Sequence, residues 1–284
     1  MTLKRTYEIT TAPPQPMDWN TYYDEIMKAW VALLNSEGIP ESKFQQFLEE
    51  NPSFLPHGLG GHHSPLYGAI FSKPLLAGYQ SKIPDFMWIE KDSEKITAVL
   101  IEIETPYKKW FTKHDVQTAA FSQAHNQLQD WKVWFSKPEN VINFKKQYRI
   151  IDSDLNVRNF QQKYVLIYGR RGKDSMNAKR AMLKATDEGL MTYDRLQPAK
   201  DLDNVVTLKV NAKGEFNLLA IPPTLLLGPH LADDFAVFLN RENAINSNQL
   251  ISVERKKFLI KRLAYWDEWA KNKPHEWVCS GGRE

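Results

Sequence analysis

KIPDFMWIEKDSEKITAVLIEIE, residues Lys82 to Glu104, is the stretch that decides the fold. Pro84 opens an apolar run from Asp85 to Ile89, Glu90 to Lys95 form a charged turn, and Ile96 to Glu104 is rich in β-branched residues. That pattern predicts a β-hairpin. Side chains alternate along a strand, so Leu100, Glu102 and Glu104 share one face. A turn centred on Asp92-Ser93 sets Asp85 opposite Leu100 and diagonal to Glu102, with Glu104 beyond. Three carboxylates on one face of two hydrophobic strands repel one another unless a cation stands among them. A divalent metal is the natural candidate, because hard cations prefer carboxylate oxygen. The same residues also describe a plain solvated hairpin edge, and Pro84 suits either reading as a strand opener.

Around the hairpin, helical periodicity predicts a helix over Trp19 to Asn35 capped by Asp18, and a second from Glu41 or Ser42 to the Asn51-Pro52 stop. Glu49 and Glu50 close the second helix, at the end where the dipole disfavours acids. A loop rich in Gly, His and Pro follows, with His57, His62 and His63 at a spacing that matches no common zinc motif. After the hairpin, YKKWFTK offers Lys108 and Lys109 to phosphate, with Trp110 to pack or stack. A long helix is predicted over His114 to Phe135, with Ala120, Ala124, Leu128, Trp131 and Phe135 towards the sheet. Residues 137 to 162 read as polar and irregular, with at most a short helix. KYVLIY, 163–168, reads as a buried strand running into Gly169-Arg170-Arg171-Gly172. Arg170 and Arg171, with Lys179 and Arg180 on the next helix, form a local positive patch suited to an anionic ligand, or a solvated basic face. Thr192 to Leu196 reads as the edge of a strand. Val205 to Val210 and Phe216 to Ile221 predict a further hairpin, followed by a short helix over Leu231 to Leu239 and a long one over Ser252 to Ala270.

The chain has 284 residues, of which 42% are hydrophobic and 25% charged, as for a soluble globular protein of one large or two small domains. A net charge of +3 is too mild to demand nucleic acid, so local patches must carry that inference. No apolar run approaches a membrane span, and the N-terminal residues lack the apolar core of a signal peptide. Cys279 is the single cysteine, which excludes an internal disulfide and suits a cytoplasmic setting.

Pro-Asp, a hairpin and then Glu-x-Glu resembles the core of the PD-(D/E)XK nucleases. More specifically, FQQFLEENPSFL, SKIPDFMWI, AVLIEIETPYKKWFT, AAFSQAHNQLQDWKVWF, VLIYGRRG and TYDRL, in that order, resemble the Shedu family of anti-phage defence nucleases, over about residues 41 to 200. The resemblance implies an α/β, restriction-endonuclease-like fold: a mixed sheet flanked by helices. It divides the chain into an N-terminal arm and helix at 1–40, a nuclease core at 41–200 and a C-terminal accessory segment at 201–284. It implies metal-dependent cleavage of phage or plasmid DNA, with Mg2+ or Mn2+ as cofactor and assembly as a homo-oligomer. Asp85 and Glu102 fall on the metal-ligand positions, and Glu50 is the helix acid that would join them. Gln123 and Gln127 would brace the site from the long helix. Glu104 stands where relatives carry a lysine, which leaves it as a base or an extra ligand. Lys82, Lys108 or Lys109 would have to supply the missing cation. A catalytically impaired nuclease fold that binds or senses DNA is the alternative.

Overall fold

The computed structural model describes residues 7–58, 65–172, 174–272 and 284. The elements run α1 (Trp19–Asn35), α2 (Glu41–Glu50), β1 (Ala69–Ser72), β2 (Phe86–Lys91), β3 (Lys95–Ile103), α3 (Ala119–Phe135), α4 (Pro138–Gln147) and β4 (Asn159–Ile167). They continue as α5 (Asp174–Leu183), β5 (Glu188–Met191), β6 (Val206–Val210), β7 (Phe216–Ala220), α6 (Pro229–Ala236), α7 (Arg241–Ser247) and α8 (Val253–Asn272). The seven strands form one sheet in the order β5-β4-β3-β2-β1-β6-β7. β1, β2 and β3 are antiparallel neighbours, whereas β4 and β5 run parallel to β3 and β6 runs parallel to β1. This is a mixed α/β architecture with helices on both faces.

Strand alternation sorts the core into two layers. Phe86, Trp88, Val99, Ile101, Val165 and Ile167 pack under α1 and α2, against Trp30, Phe44 and Leu48. Met87, Ile89, Ala98, Leu100, Tyr164 and Leu166 face the other way, against Phe121, Leu128 and Trp131 of α3 and Leu263 and Trp266 of α8. Burying each large side chain of this kind contributes roughly 2–3 kcal/mol. α1 starts where expected, because the Asp18 carboxylate accepts from the Asn20 and Thr21 amides at 2.9 and 3.2 Å.

Several expectations shift. The hairpin pairs Phe86 with Ile101 and Met87 with Leu100, so Asp85 continues the register opposite Glu102 and not Leu100. Asp92 causes the shift: its carboxylate accepts from the Glu94 and Lys95 amides, both at 2.7 Å, and moves the turn onto Ser93-Glu94. α3 starts at Ala119, not His114, because Thr118 caps it and Phe111 pairs with Gln117 across a small loop first. The buried apolar residue near its start is Phe121 and not Ala120. The polar stretch after α3 holds a full helix, α4. Thr192 to Leu196 is a single 3₁₀ turn following β5. The C-terminal hairpin, β6 and β7, is no appendage: it extends the same sheet beyond β1. Among the described residues, no helix is long and apolar enough to cross a membrane.

Candidate functional site

Asp85 ends the β1–β2 connection, and its carboxylate Oδ2 accepts from the Ile103 amide at 2.8 Å across the hairpin. Its backbone carbonyl accepts from the Lys73 amide at 2.8 Å, and its Oδ1 from the Lys73 ammonium. Glu102, directly across, is 9% exposed, and its Oε2 is buried without a partner. Burial first, then the charge of Asp85, pushes the Glu102 carboxyl up to about 9, against the pull of Lys73. Burial likewise raises Asp85 above its usual range, outweighing Lys73 and the Ile103 amide.

A third and a fourth acid complete the cluster. Glu41 is the first residue of α2, and its carboxyl shares a hydrogen bond with Glu104. Burial, then the Glu104 charge, pushes Glu41 up to about 7. Glu104 is ion-paired to the Lys108 ammonium four residues on. One turn after Glu41, the Gln45 amide donates to Ser72 Oγ at 3.2 Å and reaches the Asp85 carbonyl at 3.5 Å. The Tyr193 hydroxyl is fully buried, lacks a partner, and stands within the field of Glu41, Asp85 and Glu104.

Of the sequence-predicted acids, Asp85, Glu102 and Glu104 are therefore brought together and Glu50 is not. Glu50 lies at the far end of α2, about 13 Å along the axis from Glu41. It accepts from Gln46 at 2.9 Å and lines a separate cleft with Leu219 and Asn248. Lys82 also turns away, donating to Asp130 at 2.6 Å. Gln123 and Gln127 are exposed on the outer stripe of α3, so they do not brace the acids. His57 pairs with Asp201 at 3.0 Å, while His62, His63 and Cys279 lie outside the described residues.

The predicted basic residues fare differently. Lys108, Lys109, Arg170 and Arg180 line one groove of about 700 Å³ together with Lys113 and Trp110. The Arg180 guanidinium lies 5.2 Å from the Trp110 ring centre. Burial, then repulsion from Arg195 and Arg171, lowers its pKa, the mark of crowded positive charge. Arg171, Arg180 and Arg195 line an adjoining cleft. Lys179 is spent on Asp115 at 2.7 Å, and Arg170 on Asp194 at 2.6 Å and the Leu34 carbonyl at 3.1 Å. Gly169 makes the close approach of β4 to this groove possible. It has φ +58°, and a Cβ there would stand 2.5 Å from the Lys108 carbonyl oxygen.

Sequence reasoning misses Lys73, Glu41, Tyr193, Lys113 and Arg195. Tyr193 and Arg195 belong to the TYDRL motif, and Lys113 to YKKWFTK. Glu41 looks like an ordinary helix-start acid, and Lys73 carries no signal beyond its position at a strand end before Pro74.

Among the described residues, no three His, Cys, Asp or Glu side chains form a ready-made metal cage. The donor chemistry nevertheless fits a hard divalent ion. Asp85 and Glu102 offer only oxygen, and the buried Glu102 Oε2 has no protein partner. The profile of the family described as "Shedu protein SduA, C-terminal" matches residues 38–197, more than half of the chain. No curated protein matches it.

Proposed function

The chain belongs to the Shedu family of anti-phage defence proteins, and from that premise we propose that it is a metal-dependent DNA endonuclease hydrolysing phosphodiester bonds of phage or plasmid DNA. The observation that carries this reading is the placement of Asp85 against Glu102, with its unpartnered oxygen, at the hairpin end beside a basic groove. The order helix, three antiparallel strands, helix, parallel strand supports a restriction-endonuclease-like PD-(D/E)XK core. Asp85 and Glu102 would hold Mg2+ or Mn2+, with Glu104 and Glu41 next to them. The ion, when bound, supplies Lewis-acid polarisation of phosphate and lowers the pKa of water.

The chain's own residues do the rest. Lys109, Lys113 and Arg180 hold backbone phosphates, Lys108 and Arg170 stand beside them in ion pairs with Glu104 and Asp194, and Trp110 gives the groove an apolar floor. Phosphate contacts of this kind release counterions, so affinity falls with salt, by roughly one unit of log–log slope per contact. Asp85 keeps its orientation through the Ile103 amide, and Gln45 fixes the backbone beneath it. Assembly into a homo-oligomer belongs to the same proposal.

A second reading is a catalytically impaired fold that binds or senses DNA. The observation in its favour is Glu104, an acid ion-paired to Lys108 at the position where the resembled nucleases carry lysine. The deciding experiment incubates the full chain with circular and linear DNA, in Mg2+, Mn2+ or chelator, beside Asp85→Asn and Glu102→Gln. The nuclease reading expects metal-dependent cuts that each substitution slows at least about 100-fold. Salt-sensitive DNA binding without cuts in either metal would establish the second reading. Cuts that survive chelator or Asp85→Asn would dismiss this site.

A further inference from the structure

Hydrolysis of a phosphodiester builds negative charge on phosphorus-bound oxygens, and the residue expected to oppose it is missing at position 104. The lysines near the acids are not equivalent. Lys82 is paired with Asp130, away from the cluster, and Lys108 is paired with Glu104. Lys109 is exposed at the mouth of the basic groove. Lys73 alone among these grips Asp85.

Its position is built by the sheet. β1 pairs antiparallel with β2 through Ser72 and Phe86, so the next residue, Lys73, falls opposite Asp85. The Lys73 amide donates to the Asp85 carbonyl at 2.8 Å and its ammonium to Asp85 Oδ1. Glu102 and Glu41 add to the field around that ammonium. The backbone is held at φ +46°, a left-handed conformation that a non-glycine residue adopts only under strain. The side chain is 40% exposed while that of Asp85 is 7% exposed, so the ammonium caps the acid from the solvent side, where a polyanion arrives. The buried, unpartnered Glu102 oxygen is a second, independent sign that this cluster is made for a ligand.

We infer that Lys73 supplies, from β1, the catalytic cation that position 104 lacks. This rests on the nuclease reading and deepens it. In the reaction a bond forms between water oxygen and phosphorus, one phosphorus–oxygen ester bond breaks, and the proton lost by water ends on the leaving oxygen or in solvent. The products are a phosphomonoester and an alcohol. Lys73 stays an ammonium throughout, forms no covalent bond, and contacts the attacking water and a non-bridging phosphate oxygen. Because it and a divalent ion draw on the same Asp85 oxygen, Lys73 also weakens ion binding in the resting protein.

The test uses the full chain with supercoiled plasmid and Mg2+, comparing Lys73→Met, Lys73→Arg and Asp85→Asn. Mn2+ binding is followed by electron paramagnetic resonance, and folding by thermal melting. Lys73→Met is expected to cut about 100-fold more slowly, while binding Mn2+ at least as tightly as the wild type. Lys73→Arg, which keeps the charge, recovers part of the rate. If the methionine variant does not fold, Lys73→Gln, polar but uncharged, takes its place. Cutting at the wild-type rate by the neutral variant, with Asp85→Asn inactive, overturns the inference and leaves the nuclease reading intact. So does loss of Mn2+ binding together with activity, because the lysine then only shapes the acid pair. A wild type that neither cuts nor binds Mn2+ would instead defeat the nuclease reading itself.

Discussion

Glu102 shows what burying one acid opposite another costs the fold. Its carboxyl is pushed up to about 9 by burial and by Asp85, far above the ordinary value of 4.5. An unfolded chain releases that proton near pH 4.5, and the folded one keeps it to about 9. Folding therefore takes up a proton between those limits, and stability falls as pH rises through the window, by up to about 1.4 kcal/mol per pH unit. Glutamine is a neutral stand-in for the protonated acid and escapes this slope. In chelator, Glu102→Gln is expected to be more stable than the wild type, with the gap widening by about 2–3 kcal/mol from pH 6 to pH 8 in urea unfolding. Saturating Mg2+ should stabilise the wild type and not the variant, reversing the order. A gap that stays level with pH, or a variant less stable in chelator, would rule out Glu102 as the strained acid.

At the level of elements, β5 is fastened to α3 by one carboxylate. Glu188 opens β5 with its side chain 1% exposed. It accepts from Lys132 and Gln129 at 2.7 Å, from His125 at 2.9 Å and from the Ala185 amide at 3.0 Å. Burial alone would raise its pKa, but these donors, Lys132 foremost, outweigh it and hold the carboxyl at about 2. The folded value lies below the unfolded one, so the stabilisation is complete above the unfolded pKa of 4.5 and lost as pH falls towards 2. Glu188→Gln is expected to cost about 3 kcal/mol at pH 7 and much less at pH 3. Equal losses at both pH values in urea unfolding would contradict the assignment. This tie is invisible in the sequence, because His125, Gln129 and Lys132 look like the polar side of an amphipathic helix. Most elements are legible: the hairpin from alternation and β-branched residues, α3 from a period of 3.6, and the apolar end of β4 from its continuous apolar run, while its polar start at 159–162 reads as irregular. The hairpin register is not, because it turns on how many amides one carboxylate, Asp92, accepts. Asp85 and Glu102 are legible as a pair because a single hairpin carries both. Lys73, Glu41 and Tyr193 reach the pair from β1, α2 and the turn after β5, and only the assembled sheet brings them there.

Across the whole molecule, the segment that matches the family ends at residue 197, while the sheet continues to Ala220. β1 is four residues long and leads directly into Lys73, yet one of its two neighbours is β6, paired from Ala69↔Val206 to Phe71↔Leu208. The Thr207 hydroxyl donates to the Glu49 carbonyl at 2.6 Å, which ties β6 to the helix that presents Glu41. Phe216 of β7 packs on Phe71 at 5.4 Å between ring centres and on Tyr148 at 6.5 Å. α8 seals the same layer through Trp266, whose indole donates to the Leu227 carbonyl at 2.9 Å. Without these parts β1 becomes a short edge strand and a large apolar face of the core meets water. The lost burial of Val206, Leu208, Phe216, Leu218 and Trp266 alone, all fully or nearly fully buried, amounts to roughly 10 kcal/mol, the order of a domain's entire stability. A fragment ending at residue 204 is therefore expected to show no cooperative urea transition and no metal-dependent cutting. A fragment that unfolds cooperatively and cuts DNA at the full-length rate would mean that the C-terminal strands decorate the site and do not hold it.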